Sequence, residues 1–353
     1  MSAQPEQTTP PAIPTADSSS LARLCKALAD PLRLDILRLL RTESFGVLEL
    51  SRIVDVRQSA LSHHLKVLAT AELVSTRREG TSIFYRRALL LPDDPWRDFK
   101  RQAFHSIDAL PLTRALQEGI STIQQERSQQ SLAFFSRHAD QFSENQALIA
   151  EYDHYETTLQ DLLDGLRLPR NSRVVEVGPG EGALLGQLAD RFDHVTALDN
   201  SLEMLNRARN TIQGRRQEHV QFIHGDTTTG VEQSLAADLI VSNMVLHHIP
   251  SPAAALQDCA RMLKPGGQLL LIDLSRHDQD WAREACGDLW LGFDDHDLDD
   301  WTTQAGLLSG QQLYLGQRNG FQVLIRLFLR PDIGHGPLAP QHRIDTTQTP
   351  LSN

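Results

Sequence analysis

The stretch from Glu176 to His248 carries, in order, residue types suited to holding a nucleoside. Glu176-Val177-Gly178-Pro179-Gly180-Glu181-Gly182 follows an apolar run and opens into the helical sequence Ala183-Leu184-Leu185-Gly186-Gln187-Leu188-Ala189. Glycine at 178, 180 and 182 permits a tight turn and lets the backbone come close to a ligand. Such a turn also serves ordinary strand-to-helix junctions, so its context decides. Seventeen residues beyond Gly182, Asp199 ends the run Val195-Thr196-Ala197-Leu198, with Asn200 and Met204 close behind as further contacts. A carboxylate there accepts both hydrogens of a ribose diol, at about 1.5–3 kcal/mol per charge-assisted bond. Gly225-Asp226-Thr227 is a further turn, in which Asp226 is placed to accept from an adenine amino group. Ser242-Asn243-Met244-Val245-Leu246-His247-His248 and Leu263-Lys264-Pro265-Gly266-Gly267 complete the series, with Asn243, Val245 and His247 as candidate contacts.

A second constellation lies near the N-terminus. Val47–Val54 is an apolar run broken at Asp55, and Gln58–Leu68 restarts with Leu61, Leu65 and Leu68 at helical spacing. The opposite face of that second helix presents Gln58, Ser59, Ser62, His63 and Lys66, preceded by Arg57. These side chains reach base edges and phosphates in a major groove. Leu73–Arg77 and Ser82–Arg86 then read as a hairpin turning at Glu79-Gly80-Thr81, a wing whose Arg77, Arg78, Arg86 and Arg87 suit phosphate oxygens or the adjacent minor groove. His63 and His64 are adjacent on a helix and so point apart, and no cluster of thiols or carboxylates stands near them, so no metal site is expected.

The elements that must position these residues divide the chain. Residues 1–20 are rich in Pro, Ser, Thr and Gln and read as a disordered tail without the basic start and apolar centre of a signal peptide. Residues 21–110 form the winged helix-turn-helix unit. Residues 111–150 form a helical connector in which Gln124–Gln130 reads as a solvated stretch. Residues 151–331 alternate strands with helices, with strands expected at Arg173–Val177, Val195–Asp199, Val220–His224, Leu239–Asn243 and Gln268–Asp273, and 332–353 read as a flexible tail. The fold class is therefore α/β plus winged helix, the second unit being a doubly wound, Rossmann-like sheet with its ligand at the carboxyl-end crevice.

Charge follows the same division. Of 353 residues, 21–105 hold 15 Lys/Arg against 10 Asp/Glu, whereas 106–353 hold 19 against 33, so a chain of net charge −11 keeps its basic character in the segment that carries the groove-reading pattern. Cys25, Cys259 and Cys286 are too few and too scattered for a disulfide framework or a thiolate metal site. No apolar run approaches the ~20 residues of a membrane span, and the expected location is the cytoplasm.

The first unit resembles the ArsR family of winged-helix repressors, through Leu28-Ala29-Asp30-Pro31-Leu32-Arg33-Leu34, the 58–65 helix and Leu73-Val74. The resemblance implies a homodimer on double-stranded operator DNA. It does not imply metal sensing, because Gly46-Val47-Leu48 stands where the family's metal sensors have Cys-Val-Cys. Residues 150–330 resemble the class I S-adenosylmethionine-dependent methyltransferases. That resemblance implies Glu176 and Gly178 near a methionine moiety, Asp199 near ribose, Asp226 and Thr227 near adenine, and Asn243 to Leu246 below the reacting sulfur. The Tyr152-Asp153-His154-Tyr155 segment resembles the lid helices that precede such cores.

The fusion is similar to ArsR-type regulators whose methyltransferase-like domain senses S-adenosylhomocysteine and controls methionine-cycle genes. The expected ligand is S-adenosylmethionine or S-adenosylhomocysteine, and the expected function is ligand-modulated operator binding. The alternative is an active small-molecule methyltransferase with an autoregulatory DNA-binding domain. No catalytic residue is assigned: only Asp153, His154, His247 and His248 stand as possible bases, and the acidic, aromatic stretch 281–301 would accept a small cation or form a lid.

Overall fold

The computed structural model describes residues 17–138, 146–214 and 217–332. Asp17 caps the first helix, α1 (Ser18–Leu28), by accepting from Ser20 N at 2.7 Å, so residues 18–20 of the segment expected as tail belong to a helix. Pro31 opens α2 (Pro31–Leu39), with Asp30 accepting from Arg33 N. A short strand, β1 (Phe45–Gly46), leads into α3 (Val47–Ile53), and Asp55, at φ +51°, turns the chain into α4 (Gln58–Thr70). Leu61, Leu65 and Leu68 are fully buried against α1–α3 and α5 (Arg97–Asp108), each contributing ~1.5–3 kcal/mol of burial. β2 (Val74–Glu79) and β3 (Ser82–Arg87) form the hairpin, and β1 adds to β3 to give the order β1-β3-β2. The first unit is a winged helix-turn-helix.

The connector expected over 111–150 contains α6 (Arg114–His138), 25 residues or about 37 Å of helix, and within the stretch expected to be solvated Arg127 is buried. Leu116, Ile123 and Arg127 are buried, and Gly119 sits against Ile53 of α3, where an added Cβ would lie 3.1 Å from the Ile53 Cα.

The second unit is a seven-stranded sheet of order β6-β5-β4-β7-β8-β10-β9. Its strands are β4 (Arg173–Val177), β5 (His194–Asp199), β6 (Val220–His224), β7 (Ala237–Asn243), β8 (Leu263–Leu274), β9 (Leu308–Gly316) and β10 (Gln322–Leu329). The first five are parallel, while β10 runs antiparallel between β8 and β9. The last two strands lie beyond the five expected. α7 (Asp153–Gly165), α8 (Ala183–Arg191), α9 (Leu202–Thr211) and the short α12 (Trp281–Ala285) pack one face; α10 (Thr227–Glu232), α11 (Pro252–Met262) and α13 (Asp295–Gln304) belong to the other. Strand order reverses at β4, whose neighbours are β5 and β7, and the crevice at its carboxyl end is where a doubly wound sheet receives a ligand.

Candidate functional site

A cavity of about 640 Å³ opens at that crevice, within the ~300–1,000 Å³ usual for small-ligand sites. Its floor is the turn after β4. Gly178, Gly180 and Gly182 all take positive φ (+66°, +56° and +89°), a conformation that side-chain-bearing residues rarely adopt. A Cβ on Gly178 would come within 2.3 Å of Val245 Cγ2. Gly182 does not line the cavity; it lets α8 start against α9, where its Cβ would meet Ala208 at 3.0 Å.

Asp199, Asn200 and Met204 line one wall. One Asp199 oxygen accepts from Ser201 N at 2.7 Å, and burial lifts this carboxyl to about 6. Gly225, Asp226 and Thr227 continue the wall. Asp226 Oδ1 caps α10 by accepting from Thr229 N at 2.9 Å, and Thr227 Oγ1 donates to Asp258 at 3.1 Å. Asn243 and Val245 lie on the floor, where Asn243 Oδ1 accepts from the Tyr155 hydroxyl at 3.2 Å.

Glu176 lies beneath the cavity lining and is 1% exposed. Its Oε2 has no hydrogen-bond partner, and burial, helped by the neighbouring Asp199 carboxylate, lifts its pKa to about 8. An unpartnered carboxylate oxygen under a left-handed glycine turn, beside a strand-end Asp199, fits an adenosyl ligand that carries hydroxyl and ammonium donors.

His247, expected to touch the ligand, does not line the cavity. Its Nδ1 is 2.8 Å from Asp273 Oδ1, and its Nε2 is 3.8 Å from Asp288. Burial works against the imidazolium, but the two carboxylates outweigh it and raise the His247 pKa to about 9. The correction has a simple physical reason: the ring is fully buried beneath the lining, its charge held by Asp273 and Asp288, so that even its unpartnered Nε2 is out of a ligand's reach. His248 lines the cavity instead, held neutral by burial and by the His247 charge, with Nδ1 donating to Gly287 O at 3.2 Å. His247, His248 and Asp288 bring possible ligand atoms within 4.8 Å of one another, but the Gly287 contact already occupies His248 Nδ1.

The remaining wall comes from α6. Ser121, Gln124, Gln125, Ser128, Ser131 and Phe135 face the cavity, roofing it with five neutral hydrogen-bonding side chains and one aromatic ring. Their spacing of three, four or seven residues marks one helix face, the signal that the solvated reading of this stretch passed over. The charged residues among the lining, including Glu151, Glu181, Asp199 and Asp258, are all acidic. Such a chamber favours a ligand with positive charge.

On an adjoining face, α6 meets the winged unit. Arg127 forms a two-pronged pair with Glu49 of α3 at 2.9 and 2.7 Å, and donates to Ser44 O at 3.0 Å and to Pro250 O at 3.1 Å. Its guanidinium lies over the rings of Phe45, Phe84 and Trp290. Pro250 and Ser251 line the cavity, and Ser251 also donates to Glu43.

On α4, Gln58, Ser59, Ser62, His63 and Lys66 are exposed, as are Arg57 and Arg78. Arg77 and Arg86 differ from expectation and are not open to phosphate in this arrangement. Arg77 is 4% exposed, paired with Glu79 and donating to Gly292 O, while Arg86 pairs with Asp297. The second unit supplies Asp297 and Gly292, partners more than 200 residues away in the chain.

Residues 30–76 match the family model described as bacterial regulatory protein, arsR family, and residues 175–271 match the one described as methyltransferase domain. An uncharacterized methyltransferase of Mycobacterium bovis is 32% identical over 119 residues, 34% of this chain and 57% of that protein. A ubiquinone biosynthesis O-methyltransferase of Idiomarina loihiensis is 33% identical over 110 residues, 31% of this chain and 45% of that protein. The chain thus spans about half the length of the curated relatives it matches. The N-methyltransferase NodS of Bradyrhizobium japonicum, solved with S-adenosyl-L-homocysteine, aligns at TM-score 0.38 and 22% identity over 45% of this chain and 78% of that one. No helix among the described residues is long and apolar enough to cross a membrane.

Proposed function

We propose, for a chain that joins an arsR-family helix-turn-helix domain to a methyltransferase domain, a DNA-binding transcriptional regulator whose operator affinity follows occupancy of the adenosyl cavity. The ligand proposed is S-adenosylmethionine or S-adenosylhomocysteine, the target genes those of the methionine cycle, and the working form a cytoplasmic homodimer. The DNA-binding unit ends with α5, the ligand unit starts near α7, and α6 belongs to both.

The observation that carries this reading is the position of α6, which roofs the cavity with one face and packs on α3 of the helix-turn-helix with another. A ligand that shifts this helix necessarily shifts the element in front of the recognition helix. Asp199 would hold the ribose diol, and Gly178 and Gly180 would admit the amino-acid portion beside Glu176. The gap between Asp226 and α6 would take the adenine. S-adenosylmethionine carries a sulfonium with an activated methyl group, whereas S-adenosylhomocysteine is a neutral thioether, so the acidic lining supplies a means of telling them apart.

The test is a titration of a labelled duplex from the chain's own promoter with each sulfur nucleoside. A coupling of about 1–3 kcal/mol predicts a change in DNA affinity of ~5–150-fold. Equal DNA affinity with and without both ligands would overturn the reading. A second reading, an active small-molecule methyltransferase with autoregulation, draws support from the curated relatives, both named as methyltransferases. Transfer of labelled methyl to small metabolites would favour it; an inert protein that still binds ligand would favour the sensor.

A further inference from the structure

The wing arginines are engaged, and what engages them resembles what DNA would offer. Arg86 pairs with Asp297 and lies 4.0 Å from Asp294, while Arg77 lies 3.8 Å from Asp297 and donates to the Gly292 carbonyl. A guanidinium fork accepts carboxylate and phosphate oxygens with the same geometry. The register of this contact is fixed by a backbone hydrogen bond and a ring contact. Glu79 of the wing accepts from Leu291 N at 2.8 Å, and Phe84 stands edge-on to Trp290 with ring centres 5.4 Å apart.

We propose that the 289–297 corner of the methyltransferase domain is an internal docking surface that takes the place of DNA phosphate on the wing, so that the docked chain reads DNA with α4 and Arg78 but without Arg86. The inference rests on the DNA-binding reading above and adds its regulation. Arg57, Gln58, Ser59, Ser62, His63, Lys66 and Arg78 remain exposed when docked, whereas Arg86 becomes available only after the corner withdraws and Arg77 keeps Glu79 of its own strand. Two affinities follow, a weak one with the wing held and a strong one with it free.

The corner is also fastened to the cavity floor. Leu289 N and Trp290 N both donate to His247 O, at 3.0 and 3.1 Å, and the His248 ring bonds Gly287 O. Since His248 lines the cavity, a ligand pressing on it acts directly on the strip that grips the wing.

The experiment measures binding of the full chain to a labelled mixed-sequence duplex of about 30 bp as salt rises from ~50 to ~200 mM, for the native protein, Asp294→Asn and Asp294→Asn/Asp297→Asn. Freeing Arg86 adds one phosphate contact, Arg77 keeping Glu79 of its own strand as partner, so the double variant should bind severalfold tighter at low salt, with a log–log salt slope steeper by about 0.9. Asp294→Asn alone, at a partly exposed position, should move both quantities in the same direction by less, and it decides the matter if the double variant fails to fold. Unchanged slopes, tighter binding without a steeper slope, or weaker binding by a folded variant would each overturn the docking surface. No duplex binding by any of the three proteins would overturn it together with the DNA-binding reading. Ligand titration alone, by calorimetry, judges the adenosyl cavity separately.

Discussion

Asp199 and Glu176 are two carboxylates at the ends of adjacent strands, and burial raises both, but their work differs. Asp199 faces the cavity, so Asp199→Ala should weaken binding of S-adenosylhomocysteine about 10- to 100-fold by calorimetry, the loss of one or two charge-assisted bonds. Glu176 acts on stability. Its folded pKa of about 8 lies above its ordinary 4.5, so the fold holds its proton more tightly than the open chain does. That contribution is complete below about pH 4.5 and is lost as pH rises through about 8. Without ligand, Glu176→Gln should therefore match the native protein near pH ~5 and melt higher near pH ~9, by a few kcal/mol at most. A melting difference that shrinks with rising pH would contradict this. Both residues were legible in the sequence, because a strand-end carboxylate and a glycine turn are local features. The burial of His247 was not, since Asp288, 41 positions on, is brought beneath it only by the fold.

Arg127 is where α6 does its joining. Arg127→Ala strips Glu49 of a buried partner and leaves the Ser44 and Pro250 carbonyls without their donor, a loss of about 3–5 kcal/mol measurable as a lower denaturant midpoint. Arg127→Lys keeps the charge but not the two-pronged geometry. It should leave ligand affinity within a few-fold while blunting the ligand's effect on DNA affinity; an undiminished effect would remove Arg127 from the coupling. The sequence made α6 legible as a helix and hid its surroundings. Ser121, Gln124, Gln125 and Ser128 have the chemistry of a solvated face, and a polar wall of a cavity has the same chemistry. Only contacts 78 to 123 residues distant reveal which it is.

At the scale of the molecule, the strand and helix order was readable from periodicity, and the wing from its arginines and glycine turn. The return of β9 and β10 to the sheet edge, and the grip of the second unit on the wing, depend on long-range packing that no local pattern encodes. The winged unit leaves Leu91, Phe99 and Leu110 exposed beside α5, and a chain of 39.5 kDa should sediment as a species of about 79 kDa if two copies cover them. Sedimentation at the mass of a single chain would argue against the dimer. The shared helix also decides how the protein can be taken apart. A fragment beginning at residue 151 would keep the sheet, the glycine turn and Asp199, yet it would leave an open trough where the intact chain has a chamber. A fragment ending at residue 110 would in turn bare Ile53 and strip Glu49 of its arginine. Neither half is self-sufficient, and recombining domains at the apparent seam would damage both.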